Sequence, residues 1–213
     1  MLKKILFILP LFLHFCANYN KNEIPPISDD EYKVFSYILD ENIRRDSIKV
    51  YLDTNTIAFY KNGVPLGFFD GPTVSMQKRN RIKDYYDYFF ASSKFNEIHL
   101  SRSSKWKQFN QGELLKDLLI KNTFSFKINV EEISLKKQLV LVRKYDSRRS
   151  FETRAGEVPR IGFSRVGFDN EFTQAIVYVS LYCGLLCASW DFYLLRKIDF
   201  DWQIIEKINI AVS

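Results

Sequence analysis

Three strand-like segments follow one another at the C-terminal end of the chain, and this run constrains the fold more than any other stretch. Gln174 to Tyr182 alternates, a loop from Cys183 to Ser189 follows, and Trp190 to Lys197 is strand-like again. Asp199-Phe200-Asp201 then turns the chain into Trp202 to Ile210. Side chains alternate across a strand with a period of two, so each segment can present one face to a core. Connections this short join antiparallel neighbours, because a parallel pair needs a crossover of a dozen residues or more. The spacing predicts a three-stranded meander.

Helical patterns lie mainly in the first half. After Asp29 or Asp30 as a cap, Tyr32, Phe35, Ile38 and Leu39 recur at helical spacing. A basic, aromatic helix is expected from Gln77, with Ile82, Tyr85, Tyr86, Phe89 and Phe90 three and four apart, and a short one from Glu113 to Ile120. Ser47 to Leu52 and Thr56 to Tyr60 read as strands, as do segments 124–130, 137–144 and 160–166. Without regular βαβ alternation, the expectation is an α+β fold, N-terminal helices packed on a curved antiparallel sheet. The 213 residues suit a single domain, and 46% hydrophobic with 26% charged residues excludes a disordered or multi-span chain. Nineteen Phe and 12 Tyr against 8 Gly and 6 Pro point to a core packed on rings.

The N-terminus reads as an address. Lys3 and Lys4 precede an apolar run from Ile5 to Leu13 that is too short to cross a bilayer as a helix. Cys16 follows at once, then the polar stretch Asn18 to Asn22. This arrangement resembles a bacterial lipoprotein signal, which implies that Cys16 becomes the lipidated first residue and ties the chain to a membrane. Leu13 sits where that pattern wants it, while Phe15 replaces the usual small residue. The alternative is a secreted chain that loses Cys16 with its leader. Residues 1–16 are thus expected as signal peptide, 17–30 as a polar tether and 31–213 as the α+β domain. With Lys3 and Lys4 gone, 29 basic side chains face 25 acidic ones, a modest excess.

A block of the last 55 residues is distinctive: Ile161-Gly162-Phe163-Ser164-Arg165-Val166-Gly167-Phe168, Gln174-Ala175-Ile176-Val177-Tyr178-Val179, Cys183-Gly184-Leu185-Leu186-Cys187, Tyr193-Leu194-Leu195 and Trp202. It resembles the ending of a group of uncharacterised exported bacterial proteins. That resemblance implies fold and address but no activity. Where those proteins carry a Gly before the last Trp, Asp199-Phe200-Asp201 stands here. At fold level, helices set before a curved meander also occur in cone-shaped folds like that of nuclear transport factor 2.

Few residues invite chemistry. In an oxidising compartment Cys183 and Cys187 are most simply a disulfide, and their four-residue spacing across a loop allows the required approach. Inert thiols or a redox or metal pair are the alternatives. The C-x-x-C spacing is absent, and His99 is the sole histidine beyond the leader, which makes a poor zinc site. Arg165, beside Ser164 and between apolar residues, either organises the loop through Asp169 or Glu171 or reaches a ligand carboxylate. Ser164, His99 and Asp191 make a hydrolase triad only on paper, since no G-x-S-x-G elbow surrounds the serine. Glu131-Glu132 sits in a turn, where exposure is the default.

Basic residues gather at Lys78-Arg79-Arg81-Lys83 and from Arg143 through Arg165, with acids interspersed. They read either as a polyanion contact or as solvated surface. No catalytic residue, metal, cofactor or nucleic-acid partner is expected. The expectation is a non-catalytic envelope or surface protein that binds a protein or envelope molecule. A hydrolase acting on envelope material and adhesion to anionic polymers are the alternatives.

Overall fold

A computed structural model describes residues 21–42, 49–57, 60–61, 64–65, 100–136, 140–142, 159–182 and 188–212. The fold is α+β. Its first helix, α1 (Asp29–Asn42), begins at a capping box, although neither Asp29 nor Asp30 makes the cap. The Glu31 amide donates to Ser28 Oγ at 3.3 Å and the Ser28 amide donates to Glu31 Oε2 at 3.0 Å. Tyr32, Phe35, Ile38 and Leu39 are all buried along one side of this helix. Helix α2 (Gln111–Lys121) buries Leu114 and Leu118 and half-buries Leu115 and Leu119.

The strands are β1 (Lys49–Leu52), β2 (Tyr60–Lys61), β3 (Val64–Pro65), β4 (Val140–Val142), β5 (Arg160–Phe163), β6 (Gly167–Phe168), β7 (Gln174–Tyr182), β8 (Ala188–Ile198) and β9 (Asp201–Val212). Seven of them form one sheet in the order β4-β1-β5-β7-β8-β9, with β6 paired to β7, while β2 and β3 form a separate pair. The sheet is mixed, which corrects the expectation of a wholly antiparallel one. β5 to β9 pair antiparallel, but β1 runs parallel to both β4 and β5. The long chain between β1 and β5 includes α2 and so supplies the crossover that parallel neighbours need. Segment 124–130 does not enter the sheet. It makes one isolated bridge, Asn55 to Lys127, before a 3-10 turn at Val130–Glu132 whose two glutamates are exposed.

Strand alternation divides the core in two. Ala175, Val177, Val179, Tyr193 and Leu195 pack with Phe35, Ile38 and Leu39 of α1. Ile176, Tyr178, Phe192 and Leu194 pack on the opposite face with Leu114 and Leu118 of α2, Trp106 and Phe109. The sheet is therefore a middle layer with helices on both faces, held chiefly by apolar burial.

Gly167 lets α2 lie close on β6. A Cβ there would stand 2.5 Å from the Leu114 carbonyl oxygen and 2.7 Å from Leu118 Cβ. The β8–β9 connection is strained instead. Asp199 and Phe200, at φ 48° and 71°, join the paired Ile198 and Asp201 in the manner of a type I′ turn. Glycine is favoured at such positions, and a residue with a Cβ costs about 1–2 kcal/mol there. Phe172, in the β6–β7 turn, also has a positive φ of 55°.

Candidate functional site

Arg165 stands where the chain leaves β5 and has yet to join β6, a break in the ladder that frees its backbone for other partners. Asn122, just past the end of α2, takes them: the Arg165 amide donates to Asn122 Oδ1 at 2.6 Å, and Asn122 Nδ2 donates to the Arg165 carbonyl at 3.0 Å. The side chain turns to α1. Nε donates to Glu31 Oε1 and Nη2 to Glu31 Oε2, each at 2.7 Å, a bidentate fork in which both side chains are 0% exposed. Nη1 and Nη2 also donate to the carbonyls of Pro25 and Pro26, both at 3.0 Å. The guanidinium lies 4.7 Å over the Phe126 ring.

Four of the five guanidinium N–H groups are thus used within the chain. Glu31 is equally engaged, since Oε1 also accepts from the Val166 amide at 3.1 Å and Oε2 accepts from Ser28. The carboxylate that Arg165 meets is that of Glu31, not of Asp169 or Glu171. Asp169 closes the β6–β7 turn, accepting from the Thr173 and Gln174 amides at 2.8 and 2.9 Å. Glu31 had a signal in the sequence, the Ser28-x-x-Glu31 capping box that aims a carboxylate at a helix start.

Ser164 is equally occupied. Its hydroxyl donates to the Arg165 carbonyl at 2.9 Å and accepts from the Tyr178 amide at 3.0 Å. Asp191 is engaged with Asn209, Ser189 and Lys207, and His99 lies outside the described residues.

A second polar group gathers on β8 and β9. Asp191, 1% exposed, accepts from Asn209 Nδ2 at 2.7 Å on one oxygen. Its other oxygen accepts from Ser189 Oγ at 2.8 Å and faces Lys207 Nζ at 3.1 Å. Tyr193 donates to Asn42 Oδ1 at 2.6 Å, and its ring lies under Lys207. Ser189, Asp191 and Tyr193 are alternate residues of one strand and so share a face. Burial pushes the Tyr193 hydroxyl above its ordinary pKa, against the opposing pull of Lys207. Burial works against the Lys207 charge, but Tyr193 and Asp191 outweigh it and hold the ammonium above its usual range. Tyr178 is driven far upward by burial and then by Asp191. These shifts keep the tyrosines neutral and the lysine charged. They favour a fixed ion pair over a group poised to exchange protons near neutrality.

Cys16, Cys183 and Cys187 lie outside the described residues, as do Lys78 to Lys83 and Arg143 to Arg154. Arg160 is paired with Asp53 at 2.8 Å. Among the described residues no three His, Cys, Asp or Glu side chains gather as metal ligands, and no helix is long and apolar enough to cross a membrane. Family models, curated proteins and solved structures give no match to the chain.

Proposed function

We propose that the chain is an exported envelope protein, held to a membrane by lipid on Cys16, whose body binds a protein or an envelope molecule without catalysing a reaction. The state of Arg165 carries the non-catalytic half. The side chain best suited to seize a ligand carboxylate is wholly buried and spends its donors on Glu31, Pro25 and Pro26. A hydrolase that held its substrate's carboxylate through Arg165 would need that guanidinium open to substrate. The address rests on Lys3, Lys4, the apolar run and Cys16, and it is in keeping with the resemblance of the last 55 residues to exported proteins. On this address the partner is taken to be a protein or an envelope molecule and not nucleic acid.

Binding is assigned to a curved sheet ending in the β7–β8–β9 meander. The two register shifts between β8 and β9, at Trp190/Asp191 and Leu194/Leu195, support curvature because bulges bend and twist a strand. Tyr182 and Ala188 are register partners, so Cys183 and Cys187 fall in a short connection between adjacent strands, which suits a disulfide. Mass spectrometry of the native protein tests the address. Diacylglycerol on Cys16, with two hydrogens missing from Cys183 and Cys187, is expected, and an unmodified Cys16 or alkylatable thiols refute each part. Incubation with envelope polymers tests the role. Turnover overturns the binding reading, while a stoichiometric partner recovered from envelope extract supports it.

A further inference from the structure

Among the described residues, one end of the molecule breaks three rules that the others obey. Among the described residues, the exposed large apolar side chains are Phe172, Ile198 and Phe200, and Phe200 is 93% exposed. Phe172 lies in the β6–β7 turn, Phe200 in the β8–β9 turn and Ile198 at the end of β8 beside it. These turns are neighbours: the Lys197 amide donates to the Thr173 carbonyl at 2.8 Å, and the Phe168 ring lies 5.3 Å from Phe172 and 5.4 Å from Trp202. Phe172 and Phe200 occupy positive-φ positions that glycine would fill without strain. Beneath them, Trp202 Nε1 is the one buried side-chain polar atom among the described residues without a hydrogen-bond partner. Strain and unsatisfied groups concentrate where function requires them.

The chain also enters the body at this end. Ile24 is buried, the Pro25 and Pro26 carbonyls hold Arg165, and Asp30 in the first turn of α1 lies 3.5 Å from Lys197 of β8. Ile24 lies eight positions after Cys16, a span of at most about 29 Å fully extended. A lipid on Cys16 therefore keeps this end within reach of the bilayer surface.

We propose that this end is a membrane-docking tip, with Phe200, Phe172 and Ile198 seated in the interfacial layer of the bilayer that carries the anchor. The proposal rests on the lipid reading of Cys16. The diacylglycerol holds the chain to the bilayer and the tip orients the body on it, since a few exposed apolar side chains alone bind only weakly. Glu171, Asp199 and Asp201 are exposed around the tip, so the surface it suits is zwitterionic rather than anionic.

The test uses the full native protein carrying Phe200→Trp, reconstituted in phosphatidylcholine vesicles, with the unsubstituted protein as background. The added fluorescence should be quenched by lipids brominated high on their acyl chains and shielded several-fold from aqueous acrylamide. Replacing a third of the lipid with phosphatidylglycerol should not deepen it. Phe172→Asn with Phe200→Gly, which suits both backbones, should leave the fold intact and weaken vesicle flotation of any unlipidated protein at least tenfold. Equal acrylamide quenching with and without vesicles overturns the tip, as does shielding that depends on another protein. Mass spectrometry reads Cys16 separately. An unmodified Cys16 with lipid-quenched F200W sinks the anchor and keeps the tip, whereas a lipidated Cys16 with unquenched F200W does the reverse.

Discussion

At the scale of single residues, the Arg165–Glu31 pair decides how the N-terminal helix meets the sheet. Two charges that are both 0% exposed survive only because each satisfies the other and the nearby backbone fills the remaining valences. Removing one partner leaves an uncompensated buried charge. Arg165→Met and Glu31→Gln should each cost about 3–5 kcal/mol of folding free energy. The joint variant should cost less than the sum of the two by at least about 1 kcal/mol, read from denaturant midpoints in a double-mutant cycle. Glutamine keeps the capping box, so the cycle isolates the charge. Arg165 was legible as unusual because it stands in a largely apolar, strand-like stretch of the sequence. Its partner was not, since Glu31 is 134 positions away and only the docking of α1 brings it near. Asp169 and Glu171 are closer along the chain, but Asp169 spends its carboxylate on its own turn.

At the scale of elements, the contact of α2 with β6 depends on a missing side chain. Gly167→Ala should push α2 off the strand and cost about 1–3 kcal/mol, because the backbone of Leu114 cannot yield as a flexible side-chain tip would. Gly112→Ala, in the first turn of the same helix with nothing within 4 Å, should gain up to about 1 kcal/mol. Thermal unfolding of the two variants reads this contrast in sign. Strong periodicity made β7 legible to the residue and β8 and β9 to within about two residues at each end, within ordinary boundary scatter. Segment 124–130 has a strand's composition, yet it is used as a single bridge and a turn, because its neighbours in space were not readable from composition.

At the scale of the whole molecule, stability should depend on pH in one direction at the alkaline end. Tyr178, Tyr193 and Lys207 all hold their protons more tightly in the folded chain than at the ordinary values of 10.0 and 10.5. The folded state therefore binds more protons than the unfolded one once pH passes about 10, and stability falls as pH rises further. Below that range their contribution is fully present. Urea midpoints measured from pH 8 to 11 should decline above about 10, and Lys207→Met should soften the decline only slightly because that side chain is partly exposed. A flat profile would refute the shifts. The sequence by itself determined the α+β class, the three C-terminal strands and the apolar side of α1, since each follows from a local period of two or of 3.6. Only the tertiary structure decided that β1 runs parallel to β5, that Arg165 closes on Glu31, and that the exposed Phe172 and Phe200 sit on neighbouring turns. Strand direction, buried pairing and surface clustering are all set by contacts between distant segments, and no local period records them.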